Sequence, residues 1–507
     1  MKVMGKRVIR FVVVPIIGLQ ALTMPAAGQQ TMGAYKDLRQ LPNTPAGKRL
    51  REVIDVINAE DQAKTKKFVA ESMTPAFRDA FPLAEHLTVF NDVFNATGGV
   101  EFYSVRQYDK PRGEGELVGI VRTKIGDSWR GIIVGVEPDP PHRIATLNFA
   151  PARPPSDLPD AGKKLTQAEL VEELKQYLDK VVKGDLFSGT VLLAKNGDVL
   201  FRGAYGQANR DFDASNRVDT KFNLGSMNKM FTAVAIAQLA ERGKLSYDDP
   251  ISKCLSTDWL PGEVADKVTI RHLLTHTSGL GSYFNDKFMN SSRALYRKVD
   301  DYKPLVADEK PAFEPGTRWA YSNTGFLLLG AVIEKVTGES YFDSVRDNVF
   351  KPAGMTGTDS YELDRVNPNL AVGYSKVADE TGTHWKNNLF EHVIKGGPAG
   401  GGYSTVEDLL KFDQAMRANK LVKKETADLM WTPTPQSRAD GPGYGFGFGV
   451  SGEPGNRMVG HTGGFPGINS RLDMYLDKGV TVAVMSNYDR GAELVGQKLA
   501  ELLVRLE

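Results

Sequence analysis

Apolar side chains recur at three- and four-residue intervals in KRLREVIDVI (48–57), DQAKTKKFVAESM (61–73) and TPAFRDAF (74–81), a spacing that predicts helices. Four runs rich in β-branched and aromatic residues follow: EFYSVRQ (101–107), ELVGIVRTK (116–124), SWRGIIVGV (128–136) and RIATLNF (143–149). Turn formers in KPRGEG, IGD and EPDPPH separate them, so they read as an antiparallel meander. APARPPSDLPDAGKK (150–164) then carries four prolines and few apolar side chains, the pattern of a linker. Beyond it the pattern restarts with an amphipathic helix, QAELVEELKQYLDKVV (167–182). A hairpin comes next, GTVLLAK and VLFRGAYG around Asn196-Gly197-Asp198. The chain closes on three strand-like runs, RMVGHTG, INSRLDMYL and VTVAVMSN, and a helix from about Ala492 to Leu503.

Strands at both ends of this second part, with helical patterns between them, predict an α+β unit. Its single antiparallel sheet would be assembled from both ends, with helices flanking it and a mostly helical region inserted. The length of 507 residues suits two or three domains. The expected organisation is an α+β unit over 31–150, the linker over 151–164 and the larger unit over 165–507. Helices followed by a meander in 31–150 resemble the cone-shaped nuclear transport factor 2-like domains. That resemblance implies an accessory role and a homodimer formed through this unit, which carries no catalytic constellation of its own.

Residues 1–28 stand apart. Lys2, Lys6, Arg7 and Arg10 precede FVVVPIIGLQALTM and then PAAGQQ, the order of a secretory signal cut near Ala27 or Gly28. The apolar run is 14 residues and holds Pro15 and Gln20, too short and too broken for a membrane span. A secreted or periplasmic protein without a stable membrane anchor is expected. A hydrophobic content of 41% and a charged content of 25% are those of a soluble globular chain. A formal net charge of +1, with no basic run interleaved with aromatics, excludes a nucleic-acid partner. Cys254 is the single cysteine, so no intramolecular disulfide forms, and no basic residue is placed to activate the thiol.

The candidate chemistry begins at NLGSMNKMF (223–231). Ser226 opens a helix that is apolar from Met227 onward, and Lys229 lies one turn further on the same face. A serine hydroxyl becomes a nucleophile when a base takes its proton, and a lysine serves as that base only once its pKa is lowered. Serine is also a common helix cap, yet this is the only serine in the chain with lysine three residues on. In WAYSNTGFLLLGAVIEKVTG, Tyr321 and Asn323 precede a second apolar helix. A tyrosine there can relay protons if cations pull its pKa down. The alternative is a core tyrosine with a capping asparagine. Tyr283 and Asn285 share the spacing but lead into no comparable helix. In VGHTGGFPG, His461 and Thr462 are placed to face a substrate. Gly463 and Gly464 allow close approach, and an edge strand there can offer a backbone N–H to an oxyanion, with the Ser226 N–H as a second donor.

Together, Ser226-x-x-Lys229, Tyr321-x-Asn323 and His461-Thr462-Gly463, in that order, resemble the serine β-lactamase and penicillin-binding-protein superfamily over roughly residues 165–507. TIRHLLTHTSGL and PAGGGYSTVEDLLKF are similar to structural stretches of that family, and Tyr321 looks like the tyrosine of its class C branch. The resemblance implies Ser226 as the acylated nucleophile and Lys229 and Tyr321 as partners in proton transfer, with either as the base. It implies Asn323 as a substrate-positioning residue and the N–H groups of Ser226 and Gly464 as the oxyanion hole. β-Lactamase members usually carry lysine where His461 stands, and this shifts the expectation toward an esterase or a D-amino-acid peptidase or carboxypeptidase. The substrate is then a small molecule or peptide. If a charged His461 is required, activity falls above about pH 6.5. A β-lactamase and a non-catalytic binding relative are the alternatives. No cofactor is expected. His272 and His276 are four apart, but no acidic residue adjoins them and no third ligand suggests itself, so no metal is expected either. No G-x-S-x-G occurs, which disfavours an α/β-hydrolase.

Overall fold

A computed structural model of the chain describes residues 35–108, 115–152, 154, 155, 158, 163–379, 382–438, 443–452 and 454–507. The predicted signal at 1–28 lies outside the described residues, as does part of the predicted linker.

In the first part a five-stranded antiparallel sheet runs in chain order: Tyr35–Leu38, Val100–Tyr108, Glu116–Thr123, Trp129–Val136 and Ile144–Pro151. Helices Pro45–Ala59, Gln62–Ser72 and Leu83–Thr97 pack on one face around Leu50, Val53, Ile57, Phe68, Val69 and Phe90, against Val121, Ile132 and Val134. The four predicted strands are all present. Two elements go beyond the sequence pattern. Strand Tyr35–Leu38 is only four residues, half of them charged, and is held by the buried bidentate pair Arg106–Asp37 at 2.9 Å. Helix Leu83–Thr97 exposes Leu83 and Val89 while burying His86 and Phe90, so its apolar residues do not fall on one stripe.

The second part opens with helix Gln167–Lys183, whose start is fixed by Thr166 and Glu169 in a reciprocal capping box. A seven-stranded antiparallel sheet follows. Its order is Gly443–Tyr444, Gly449–Ser451, Met458–Phe465, Ile468–Tyr475, Val480–Ser486, Gly189–Lys195 and Asp198–Tyr205. Val480–Ser486 therefore pairs with Gly189–Lys195 across almost three hundred residues of sequence (Val480 opposite Lys195, Ser486 opposite Gly189), closing the sheet from both ends as expected. Asn196 and Gly197 both take positive φ, 53° and 91°, as a two-residue hairpin turn requires. The two glycine-bearing strands at 443–444 and 449–451 are too short to leave a sequence pattern.

Side chains alternate across this sheet and both faces are covered. Val191, Leu193, Val482 and Val484 pack against helices Gln167–Lys183 and Gly491–Arg505. Leu192, Ala194, Ala483 and Met485 pack into the larger core, with helices Asn228–Glu241, Asn323–Thr337 and Val406–Arg417. The Asn228–Glu241 helix is buried from Asn228 through Leu239, which is why its sequence is apolar all round. The two parts touch through Ile125, which packs against the second core, and through an Arg130–Gln497 hydrogen bond at 3.4 Å.

Candidate active site

Ser226 lies in a 3-10 turn, Gly225–Met227, that feeds directly into helix Asn228–Glu241. It caps nothing, since no side chain caps that helix. Its hydroxyl instead faces Lys229 Nζ at 3.3 Å and lies near the hydroxyl of Tyr321. Lys229 is completely buried. Its Nζ also lies 2.9 Å from Asn323 Oδ1 and in hydrogen-bond contact with the Ala399 carbonyl oxygen. The ring faces of Tyr321 and Phe326 stand 4.8 and 5.6 Å from it. Burial with no carboxylate partner drives its pKa well below the ordinary lysine value, which favours the uncharged amine. A neutral amine has two hydrogens and one lone pair. Two carbonyl oxygens take the hydrogens, and the lone pair is left for the Ser226 hydroxyl.

The Tyr321-x-Asn323 spacing works because a third residue does the capping. Ser322 Oγ accepts from Gly325 N at 2.8 Å and donates to Gly281 O at 3.0 Å. Asn323, the first residue of its helix, is thereby free to meet Lys229 through Oδ1 and to donate from Nδ2 to Ser282 Oγ at 3.2 Å. The decoy pair separates in the way its sequence context suggests: Asn285 caps a short helix and Tyr283 is buried among Phe288 and Tyr302. One expectation is corrected. No cation lowers the pKa of Tyr321. Burial pushes it above the ordinary tyrosine value, and the nearby Ser226 hydroxyl offsets this only in part, so Tyr321 keeps its proton.

His461, Thr462, Gly463 and Gly464 lie on strand Met458–Phe465, whose outer neighbour pairs only with Met458 to Gly460. From His461 onward that edge has no strand partner among the described residues. Gly463 is wedged against the Ser226 turn: a side-chain carbon there would stand 2.0 Å from Leu224 O and 2.4 Å from Ser470 Oγ. Gly225, at φ 51°, completes the approach, and a carbon on it would stand 3.0 Å from Gly464 N. The Gly464 backbone is thus next to Ser226, while nothing lies within 4 Å of its own side-chain position. Thr462 is half-buried, with its carbonyl oxygen 2.6 Å from His461 Nδ1.

The surroundings of His461 do not favour a charged ring. A carbonyl oxygen only accepts, so Nδ1 carries the hydrogen, and Nε2 accepts from the Tyr444 hydroxyl at 3.0 Å. Burial, with Lys229 nearby, takes the imidazole pKa down to about 3. His461 is neutral throughout the physiological range.

Sequence reasoning missed Tyr444 and the carbonyl of Ala399. It also missed the role of His276, whose Nδ1 accepts from Ser322 N at 3.1 Å while its ring packs 4.3 Å from Tyr321 and 4.5 Å from Tyr444. No local signal marks any of the three, because each acts through a contact distant in sequence. His272 is engaged elsewhere, its Nδ1 accepting from Thr269 N at 3.3 Å. Among the described residues no group of three potential metal ligands occurs.

Residues 169–505 match the family model described as Beta-lactamase. The chain is 34% identical over 319 residues to Penicillin-binding protein 4* of Bacillus subtilis (strain 168), covering 61% of this chain and 69% of that protein. It is 29% identical over 299 residues to Esterase EstB of Burkholderia gladioli, covering 52% and 74%. The crystal structure of a penicillin binding protein from Bacillus halodurans superposes with a TM-score of 0.59 at 33% identity, covering 67% of this chain and 99% of that one.

Proposed function

This chain belongs to the beta-lactamase family, and we propose that it is an exported serine hydrolase that cleaves an ester or amide through an acyl-enzyme on Ser226. The observation that carries the reading is the fully buried Lys229 amine, which has no carboxylate partner and stands 3.3 Å from Ser226 Oγ, 2.9 Å from Asn323 Oδ1 and in hydrogen-bond contact with Ala399 O.

In this scheme Ser226 Oγ attacks the substrate acyl carbon as its proton passes to Lys229 Nζ. The carbonyl oxygen gains the charge and is met by the N–H groups of Ser226 and Gly464. Collapse of the tetrahedral intermediate breaks the bond to the leaving group, which takes the proton from Lys229 through the Tyr321 hydroxyl. Water then attacks the acyl-enzyme by the reverse route and restores Ser226. In this reading Tyr321 acts as a protonated relay and Lys229 as the base. Asn323 holds the amine and positions the substrate.

Likeness to Esterase EstB supports the ester half of the reading. Export rests on the signal pattern of residues 1–28, and no described helix is long and apolar enough to cross a membrane. The unit before the linker is proposed as an accessory domain. The test is to incubate the protein and Ser226→Ala with a p-nitrophenyl ester, a D-alanyl dipeptide, a chromogenic cephalosporin and a fluorophosphonate. Turnover of the ester or dipeptide, with a covalent adduct on Ser226, is expected. Absence of both turnover and adduct refutes the proposal.

A further inference from the structure

We infer that the cleft beside Ser226 takes an uncharged acyl donor whose apolar group lies against the Phe284–Phe465 ring pair, and that Tyr444 is the positioning residue that keeps His461 from serving a carboxylate. The inference rests on the serine-hydrolase reading and specifies its substrate class.

The first support is the hydrogen-bond inventory of the two basic side chains at the site. Lys229 Nζ has Ser226 Oγ, Asn323 Oδ1 and Ala399 O around it, so every hydrogen of the amine has a partner. His461 spends its single N–H on Thr462 O and its lone pair on the Tyr444 hydroxyl. Neither has a hydrogen left for an incoming carboxylate. An anion seated against them would be desolvated without compensation, which is far more costly than seating a neutral group. Tyr444 is itself buried, packed against His276, so its hydroxyl is held toward His461 rather than toward solvent.

The second support is the aromatic wall. Phe465 directly follows Gly464, whose backbone borders the nucleophile turn. Phe284 lies two residues beyond Ser282, which is hydrogen-bonded to Asn323. The two rings stack at 5.8 Å with 28° between their planes, joining the helical segment to the sheet across the cleft. Both are half-buried, so part of each ring stays open. An apolar or aromatic substituent on the substrate meets a preformed surface there, flanked on both sides by site residues.

Matched esters test this. Phenyl hexanoate and 3-carboxyphenyl hexanoate place the charge on the leaving group, and p-nitrophenyl hexanoate and mono-p-nitrophenyl adipate place it on the acyl group. Each kcat/KM is divided by the rate of hydroxide hydrolysis of the same ester. The wild type is expected to favour the neutral member of at least one pair by tenfold or more. Tyr444→Phe and His461→Lys are expected to narrow that ratio at least threefold, the lysine variant more strongly. A merely structural role of Tyr444 would lower both rates together and leave the ratio fixed. Phe465→Ala and Phe284→Ala are expected to raise KM for p-nitrophenyl phenylacetate at least threefold more than for p-nitrophenyl acetate. Fluorophosphonate labelling of Ser226 is measured alongside. Labelling with carboxylate esters hydrolysed within threefold of their neutral partners, or with ratios unmoved by Tyr444→Phe, overturns the inference and leaves the hydrolase reading standing. No labelling overturns the hydrolase reading itself.

Discussion

Replacing Lys229 by methionine separates what the amine does in chemistry from what it costs the fold. In the unfolded chain this lysine is protonated at neutral pH, with an ordinary pKa of about 10.4. In the folded protein it is fully buried with no carboxylate partner, which depresses its pKa and favours the uncharged amine. Unfolding therefore takes up one proton, and stability must rise with pH by about 1.4 kcal/mol per unit from this group. The window runs from its depressed folded pKa up to about 10.4. Above it both states are neutral, below it both are charged, and the dependence vanishes at either end. Methionine is unbranched, has no titrating group and fills similar space, so Lys229→Met removes that slope. The variant also strands Asn323 Oδ1 and Ala399 O, at roughly 1–3 kcal/mol each, which displaces its curve vertically without tilting it. Urea unfolding of both proteins at pH 7, 8 and 9, followed by far-ultraviolet circular dichroism, measures the difference. The wild type should gain on the variant by about 1.4 kcal/mol between pH 8 and pH 9, while ester turnover by the variant falls by about 10²- to 10⁴-fold. Parallel stability curves would mean that folded Lys229 keeps its proton, and the base assignment would fail.

Adjacent glycines give opposite outcomes. Gly463→Ala drives a carbon into Leu224 O and should cost about 1–3 kcal/mol by thermal unfolding, with loss of turnover, whereas Gly464→Ala meets nothing and should shift stability by less than about 0.5 kcal/mol. His461 is neutral when folded down to about pH 3 and protonates in the unfolded chain below about 6.5. Its contribution to stability is therefore lost as pH falls through that interval, and kcat/KM between pH 6 and 8 should show no step that His461→Gln removes. Asp37→Ala leaves Arg106 buried without its bidentate partner and should destabilise the N-terminal unit by roughly 3–5 kcal/mol, seen as a lowered unfolding midpoint.

The parts of the site legible in sequence are those whose residues sit at fixed offsets on one local element. Ser226 and Lys229 are three apart at the head of one helix, and helical geometry alone brings them onto one face. Tyr321 and Asn323 straddle a serine cap, again a local arrangement. The strands that close the sheet were legible because β-branched runs alternate between two buried faces. Strand Tyr35–Leu38 was not, since its pairing depends on Arg106 from a strand distant in sequence. Tyr444 escaped for the same reason: seventeen residues separate it from His461, and a two-residue strand carries it there.

By itself the sequence determined the family, the antiparallel sheet built from both ends of the second part and the identities of the candidate nucleophile and its neighbours. These depend on local spacing and periodicity, which survive without knowledge of the fold. Tertiary structure alone decided the protonation states. Whether Lys229 is an ammonium or a base, whether Tyr321 keeps its proton and whether His461 can hold an anion all follow from burial and from hydrogen-bond partners distant in sequence. A pKa is set by the dielectric and the partners around a group, and those exist only once the chain has folded.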